Sequence, residues 1–259
     1  TVGWTPASDI VSALEPVAPS TQKAIFGYGA AASKVSLTNL VSSSGVVAAD
    51  TTGVGTARGD LAAAGYGSDK AIFGYGRTGS SLSLTNLVNN SGVVAADTTG
   101  VGTARYYVAG VSYGGDKALF AYGYTGSNVS MSNLISNLGV VSADVTGVGT
   151  ARGYLAAASY DTDKAIFGYG YNGSANLSMS NLVSNNGIVA SDVSGVGTAR
   201  RQLAAAGYGG DKAIFAYGAS SGNQNMSNLV NNSGVVSADV TGVGTTREAT
   251  AAAGYSISA

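Results

Sequence analysis

The chain of 259 residues contains no cysteine and no histidine. Without cysteine it forms no disulfide and no thiolate metal site, and cysteine usage gives no information on the redox compartment. The chain also lacks the two side chains on which much nucleophilic and acid–base catalysis depends, and no unique cluster of carboxylates replaces them. We therefore expect a protein that is not an enzyme and that carries no metal and no cofactor.

Charge is also scarce, at 10% of the residues with a net charge of −1. No basic cluster is present, so we expect no nucleic-acid partner. Glycine, serine or a charged residue interrupts every apolar run before it reaches the length of a membrane span, so we expect none. Residue 1 is threonine and no signal region follows, which leads us to expect a processed or trimmed product, compatible with export.

What the chain does contain is repetition. The string "KAIFGYG" at residues 70–76 returns with small changes in steps of 47, 47, 47 and 48 residues. A fixed period of this length indicates a repeat fold. We divide the chain into an N-terminal arm, residues 1–21, and a repeat region, residues 22–259. The five units are 22–68, 69–115, 116–162, 163–210 and 211–259.

One unit, residues 69–115, has the pattern of four short antiparallel strands. In "KAIFGYG" the residues Ala71, Phe73 and Tyr75 share one side, and this period of two indicates a strand. The runs "LSLTNLV", "VVAAD" and "TARYYVAGVSY" follow, separated by turn-forming segments. Helix is the alternative for the alanine-rich runs, but they are bracketed by glycine and too short to be stable helices. We predict strands.

Four strands in about 47 residues match the blade of a β-propeller. We predict an all-β protein, a five-bladed β-propeller with four antiparallel strands per blade and a short N-terminal arm. Glycine or alanine recurs at positions 27, 74, 121, 168 and 216, where a small residue would let neighbouring blades approach. An open β-solenoid is the alternative, but it needs distinct capping repeats, and the terminal units are not degraded.

The period and the number of units resemble the tachylectin type of five-bladed lectin propeller, a family that binds N-acetylated sugars between its blades. The wording "DKAIFGYG", "SLTNLV", "GVVAADTTGVGTAR" and "LAAAGYG" resembles repeats of tail-fibre and other surface-appendage proteins of bacteriophages and bacteria. This second resemblance covers all of the chain except the arm. Together the resemblances imply a propeller, glycan binding and an extracellular, virion or cell-surface location. The first rests on period and count, so it assigns no sugar-binding residue here.

Every unit has an aspartate before "GVGT" (or its variant) and an arginine eight residues later. We interpret them as a structural pair across a tight turn, in which the aspartate also caps turn amides. The pairs are Asp50 with Arg58, Asp97 with Arg105, Asp144 with Arg152, Asp192 with Arg200, and Asp239 with Arg247. The repeated asparagine before Leu, as at Asn86, bonds either an adjacent strand or a sugar hydroxyl. We expect the lysine and the aspartate before it, as in Asp69 and Lys70, to lie in a solvated turn.

The units differ most from one another in two sequence windows, one after "GYG" or "AYG" and one after the repeated arginine. Tyrosines in these windows suit stacking on sugar rings, with a hydroxyl left for hydrogen bonding. The alternative is that they cover neighbouring strands or make subunit contacts. "GVGT" lacks the lysine and helix of a phosphate-binding loop. The candidate ligand-binding residues are Tyr106, Tyr107, Tyr124, Tyr154 and Tyr171.

Two further features concern the surface. Asn-x-Ser sequons offer glycosylation sites at Asn89, Asn128, Asn172, Asn176, Asn225 and Asn231. The arm holds the only tryptophan, Trp4, and its candidate assembly residues are Trp4, Ile10 and Leu14. The arm is equally suited to dock on its own propeller or on a neighbouring subunit.

We expect a non-enzymatic propeller of an extracellular or virion appendage that serves adhesion or assembly. Its partners would be glycans or a cell-surface polymer, bound at several weak sites at once, and further copies of the chain. The alternative is a structural subunit of an extracellular filament that polymerises head to tail through the N-terminal arm.

Overall fold

The computed structural model describes residues 23–254, and within this range the chain is all-β, with fourteen strands and no helix. Accordingly, no described helix is long and apolar enough to cross a membrane. The strands are β1 (Ala24–Gly27), β2 (Thr38–Val41), β3 (Ala62–Tyr66), β4 (Lys70–Gly74), β5 (Thr85–Val88), β6 (Ala109–Tyr113), β7 (Lys117–Tyr124), β8 (Asn128–Ile135), β9 (Ala156–Tyr160), β10 (Lys164–Tyr171), β11 (Asn176–Val183), β12 (Ala204–Tyr208), β13 (Lys212–Ala216) and β14 (Ser227–Val230).

The strands form five small antiparallel sheets. Four sheets have three strands in chain order, β3-β4-β5, β6-β7-β8, β9-β10-β11 and β12-β13-β14, and the first described sheet has β1 and β2. The runs equivalent to "LAAAGYG" are the first strands of the three-stranded sheets, which confirms the choice of strand over helix for these runs. The prediction of a repeated all-β fold is confirmed, and the arrangement is consistent with five repeating blades.

The sheets have two or three regular strands, where the sequence predicts four. The run "VVAAD" and the threonine after it lie beside the third strand but meet it only in isolated bridges, Val88 with Val94 and Thr85 with Thr98. Between these bridges the Asn86 side chain donates to the Ala95 carbonyl oxygen at 3.0 Å. A side chain thus occupies the acceptor that a regular fourth strand would use in its ladder.

The sheets are offset from the sequence units. Strand β6, at the end of the unit 69–115, pairs with β7, at the start of the next, from Tyr113 opposite Lys117 to Ala109 opposite Ala121. Each three-stranded sheet therefore takes its first strand from one unit and its other strands from the following unit. This offset ties consecutive units together by backbone hydrogen bonds.

The core lies between neighbouring sheets. Ile72 and Tyr75 pack with Ala118 and Phe120 of the next sheet, and all four are completely buried. Gly74 permits this approach, because a Cβ atom there would lie 2.5 Å from the Phe120 ring. The expectation that small residues at these positions let the units approach closely is confirmed at Gly74.

The first strands of neighbouring sheets lie side by side along the array. The Ser112 hydroxyl donates to the Gly65 carbonyl oxygen at 2.8 Å, and the Ser159 hydroxyl donates to the Ser112 carbonyl oxygen at 2.9 Å. These bonds join residues one repeat apart, so they align β3, β6 and β9 in the same register. Corresponding loops of successive units consequently stack in rows.

The two ends of the described array do not cover each other. Phe26 is 56% exposed, whereas its equivalents Phe120, Phe167 and Phe215 in later sheets are fully buried. At the other end Tyr217 is half-buried, although it corresponds to the fully buried Tyr residues of the internal sheets. A closed five-bladed ring therefore stays a prediction.

Candidate ligand-binding surface

The repeated arginines lie between sheets, and Arg152 shows the arrangement. It is fully buried, and its guanidinium donates to the Tyr169 carbonyl oxygen at 2.8 Å, the Thr150 carbonyl oxygen at 3.0 Å and Asn181 Oδ1 at 2.5 Å. Its Cζ lies 4.3 Å from the centre of the Tyr122 ring in the preceding sheet. The arginine thus bonds one sheet and packs on the ring of the other.

The repeated aspartate completes this contact from the following sheet. Asp192 Oδ2 accepts from the Thr150 amide at 2.9 Å and from the Thr150 hydroxyl at 2.7 Å. Asp192 Oδ1 accepts from Asn181 Nδ2 at 2.9 Å and lies 3.8 Å from Arg152 Nη1. The Tyr122 and Phe167 rings meet edge-on beside them, with centroids 5.3 Å apart. We call these six residue types together the inter-sheet joint.

The joint recurs four times in the described residues. Its six residue types are Tyr, Thr and Arg on one side and Phe, Asn and Asp on the other. Each arginine pairs with the aspartate of the following unit: Arg58 with Asp97, Arg105 with Asp144, Arg152 with Asp192 and Arg200 with Asp239. The expected pairing of Asp and Arg within one turn is therefore wrong. The buried guanidinium reaches forward to the next sheet, where Asn and Asp are both available.

The surroundings of the joint lower the pKa of its aspartates. Partial burial raises the pKa of Asp192, but the hydrogen bonds from Thr150 and Asn181 and the charge of Arg152 outweigh it. The same balance lowers the pKa of Asp97, Asp144 and Asp239. Burial raises the pKa of the Tyr122 hydroxyl in the joint to about 12, so it stays neutral near pH 7.

These shifts predict acid sensitivity. A carboxyl with a lowered folded-state pKa contributes stability above its unfolded value, about 3.9, and that stability is lost as the pH falls through the folded value. We therefore expect the urea midpoint to be steady from pH 7 to about 5 and to fall steeply below about pH 4. Asp192→Asn should flatten this fall. A midpoint that stays constant in acid would contradict the prediction.

The two variable windows lie together in space. Four antiparallel bridges join the window after the arginine of one unit to the window after "GYG" or "AYG" of the next unit: Gly59 with Arg77, Tyr106 with Tyr124, Gly153 with Tyr171, and Arg201 with Ala219. Positions that are 18 residues apart in sequence therefore form one continuous strip along the array. We call this strip the variable surface.

One row of the variable surface is made of equivalent residues that stack from unit to unit. The members are Asp60, Tyr107, Tyr154, Gln202 and Ala249, and all have φ between 53° and 57°. The Tyr107 amide donates to the Asp60 carbonyl oxygen at 3.0 Å, and the Gln202 amide donates to the Tyr154 carbonyl oxygen at 2.9 Å. Left-handed backbone at such residues costs about 1–3 kcal/mol each. The buried Tyr residues of the joint also have left-handed backbone, so this strain is a general feature of the repeat and is not specific to the variable surface.

The tyrosines of the second and third units form an aromatic cluster. Tyr107 and Tyr154 stack with ring centroids 3.7 Å apart, and Tyr106 lies edge-on to Tyr107 at 4.6 Å and to Tyr124 at 5.4 Å. All four are partly exposed. The structure therefore brings together four of the five tyrosines that the sequence singles out. The fifth, Tyr171, is also partly exposed and lies under the guanidinium of Arg201, whose Cζ is 4.8 Å from the ring centre.

Charged residues border this cluster, and the sequence-based candidate set omits them. Arg77 lies over the Tyr106 ring at 4.3 Å and donates to the Tyr107 hydroxyl at 2.9 Å and to Asp60 Oδ2 at 2.6 Å. Lys34 Nζ lies 3.7 Å from the same carboxylate oxygen. Arg77 and Asp60 each occupy one of the two variable windows. Variation between units is therefore the sequence signal by which both could have been included among the candidate residues.

Two pKa values reflect this crowding. Burial and the neighbouring Tyr107 hydroxyl raise the pKa of Tyr154 well above its usual range. Burial lowers the pKa of the Arg77 guanidinium, but the hydrogen bond and the charge of Asp60 outweigh it and raise the pKa overall. Near pH 7 the surface thus presents the neutral Tyr154 hydroxyl and the Arg77 guanidinium, which is held by Asp60.

The sequons differ in how their side-chain amides are engaged. Asn89 and Asn231 lie exposed in turns, and their Oδ1 atoms accept from backbone amides. In Asn225 the Nδ2 group, to which a glycan would attach, donates to the Gly244 carbonyl oxygen at 2.7 Å. Asn176 Nδ2 lies 3.3 Å from the Ser220 carbonyl oxygen. Glycosylation at any sequon, Asn128 and Asn172 included, stays a prediction.

Asn86 is fully buried and accepts from Arg58 at 2.7 Å, so its role is in the joint. Asp69 and Lys70 form an exposed ion pair at the β3–β4 turn, as expected. The arm residues Trp4, Ile10 and Leu14 lie outside the described residues.

The structure also has an apolar stripe that the sequence reasoning missed. The first residue after the "SG" or "NG" turn, or after Leu-Gly in the third unit, is 62–67% exposed in every unit. These residues are Val46, Val93, Val140, Ile188 and Val235. The preceding glycine turn fixes their direction, and the fivefold repetition aligns them along the array.

Comparisons with known proteins place the chain in no family. No protein-family model matches it, and none of the curated proteins matches it. The five repeated sheets and the variable surface define a tandem-repeat, all-β protein. Among residues 23–254 no group of three or more acidic side chains is placed to hold a metal ion, and the absence of a cofactor stays a prediction.

Proposed function

We propose that this chain is a non-enzymatic repeat protein of an extracellular or virion appendage, which binds glycans or a cell-surface polymer through its variable surface. The observation that carries the proposal is the cluster of Tyr106, Tyr107, Tyr124 and Tyr154, which is partly exposed and confined to the positions that differ between units. The resemblance of the repeat wording to tail-fibre and surface-appendage repeats supports the location.

The chemistry of the cluster suits a sugar. Aromatic rings offer flat apolar faces for the C–H side of a pyranose, and tyrosine leaves a hydroxyl for hydrogen bonding. Arg77 and Asp60 supply a fixed donor and acceptor at the border, 2.6 Å apart. Because the variable surface runs along all units, several weak contacts to one polymer would add through effective concentration.

A glycan array followed by calorimetric titration tests the proposal. We expect a polysaccharide or oligosaccharide to bind wild type, and Tyr154→Ala to weaken binding about tenfold, equivalent to about 1.4 kcal/mol. Tyr154→Phe should keep most of the affinity because the ring remains. Tyr208→Ala is the matched control, since Tyr208 is 40% exposed and lies outside the variable surface. No binding across a broad panel would remove glycan recognition.

We also propose that the five sheets are the blades of a β-propeller. Five repeated sheets with a bridged fourth segment support blades of a propeller, and the tachylectin type of lectin propeller is the form that the period and count resemble. A second function, a structural subunit of a filament, is favoured by the uncovered end of the array at Phe26. The sequence analysis predicts that the arm, residues 1–21, links the subunits of such a filament. If it does, deleting the arm would leave folded monomers.

A further inference from the structure

The first described sheet presents half of an inter-sheet joint. Phe26, Asn39 and Asp50 occupy the positions that Phe167, Asn181 and Asp192 hold in an internal joint. We call these three residues the front face. Phe26 is 56% exposed and Asp50 is exposed. Asn39 still donates to Asp50 Oδ1 at 2.8 Å, as the internal asparagines do, so the face is preformed.

The last described unit presents the other half. Tyr217, Thr245 and Arg247 correspond to Tyr122, Thr150 and Arg152, and we call them the back face. Arg247 lies 3.8 Å from the Tyr217 ring centre, so the cation already packs on its own ring. Its guanidinium is exposed, and among described residues it donates only to the Thr245 carbonyl oxygen, at 3.3 Å.

The two faces match because each internal joint is the same contact already formed. The four internal pairs of Tyr and Phe rings have centroids 5.2–5.4 Å apart. The four internal arginines reach their asparagines at 2.5–2.7 Å. Opposite charges also meet, since the back face carries Arg247 and the front face carries Asp50. A fifth joint of the same geometry would bury all six residues of the two faces.

The backbone offers a matching contact. Residues 250–254 lie along β12 in the same way that β6 lies along β3. A Cβ atom added at Gly254 would lie 2.8 Å from the Gly207 carbonyl oxygen, and a Cβ atom added at Gly110 would lie 2.7 Å from the Ala63 carbonyl oxygen. Within residues 23–254 no strand pairs with residues 250–254, and β2 is the one strand that pairs with β1. By analogy with Ala204 opposite Ala216, Ala251 would lie opposite Gly27, adding a strand to the β1–β2 sheet.

The occupant that fits is a second copy of this chain. With four near-identical joints formed, no described residue of the same chain completes the front or the back face, so the internal geometry does not bring the two faces together. Another copy carries both complementary faces and needs no distortion of the joints. A contact between different faces of identical subunits is heterologous and continues from copy to copy.

We propose that the back face and residues 250–254 of one copy dock on the front face and β1 of the next, which joins the chains head to tail. The contact repeats the internal joint: Arg247 donates to Asn39 and lies beside Asp50, Thr245 donates to Asp50, and Tyr217 packs on Phe26. The proposal deepens the assembly part of the proposed function and does not depend on glycan binding.

Sedimentation velocity over a range of concentrations tests the joint. Wild type should form concentration-dependent oligomers, visible as short filaments by electron microscopy. Phe26→Ser and Arg247→Ala should each weaken association at least tenfold, while circular dichroism stays unchanged, because both side chains are exposed in the single chain. Lys212→Ala, at a partly exposed lysine outside both faces, should associate like wild type.

Mixing the two variants distinguishes a directional joint from other contacts. The Phe26→Ser chain keeps an intact back face, and the Arg247→Ala chain keeps an intact front face. An equimolar mixture should therefore form heterodimers of twice the chain mass and no longer species. Deleting residues 1–21 should leave the oligomers of wild type in place.

Wild type that stays monomeric overturns the proposal, and a simultaneous loss of thermal stability in both variants would then identify ring closure within one chain. Oligomers unaffected by both variants but abolished by the deletion would assign assembly to the arm. A monomer that still binds glycans would overturn the joint and leave the glycan proposal standing.

Discussion

Replacing Arg152 by alanine is expected to lower the free energy of unfolding by about 3–5 kcal/mol, the cost of breaking a buried charged contact. The variant leaves the fully buried Asn181 Oδ1 without the guanidinium that donates to it at 2.5 Å. It also leaves Asp192 without its neighbouring cation and opens a cavity against the Tyr122 ring. Urea unfolding followed by far-ultraviolet circular dichroism measures the change.

The chain supplies its own control for this variant. Arg247 occupies the same repeat position but is exposed, so Arg247→Ala should cost less than about 1 kcal/mol when the protein is dilute enough to be monomeric. Hydrogen exchange should locate the effect of Arg152→Ala at β9–β11, because a repeat array need not unfold in a single step. Equal losses of unfolding free energy in both variants would show that the contacts of the joint do not account for the contribution of Arg152 to stability.

Phe167→Ala is expected to have an effect of similar size, about 3–5 kcal/mol, since it removes a large side chain from a close-packed core. Phe167 is fully buried and lies edge-on to Tyr122 with ring centroids 5.3 Å apart. The loss combines the transfer of the ring out of the core with the cavity left between two sheets. Thermal and urea unfolding should both report it.

Phe26→Ala is the matched control for this second variant. The ring is 56% exposed in the single chain, so its removal should change the stability of the monomer by less than about 1 kcal/mol. The comparison separates the contribution of the joint from the β-propensity of phenylalanine, which is the same at both positions. A loss at Phe26 as large as that at Phe167 would indicate that another part of the chain covers the front face.

Much of the fold could be predicted because its signals are local. Alternation in "KAIFG" and the glycine-bounded alanine runs predict strands, and the structure has strands there, as at β4 and β3. The fourth strand was not predictable in the same way. "VVAAD" has the composition of a strand, yet the Asn86 side chain takes the Ala95 carbonyl oxygen that a ladder would need.

The candidate site was predicted in part for a related reason. Variation between units picked out the tyrosines, but the pairing of Tyr106 with Tyr124 and the place of Arg77 over Tyr106 depend on two windows meeting across a sheet. The partner of each arginine was likewise misassigned. Asp144 and Arg152 are near in sequence, whereas the observed ion pair joins Asp144 to Arg105 of the preceding unit, in the contact between two neighbouring sheets.

By itself, the sequence determined that this protein is an array of five all-β units and which positions are shared or individual, since period and alternation are properties of neighbouring residues. Only the tertiary structure decided that the shared polar residues form joints between units, that the variable tyrosines share one surface, and that the two ends of the described array do not cover each other. The physical reason is that the hydrogen-bond partners of a buried guanidinium are set by distance and direction in space, and these depend on how one sheet packs on the next.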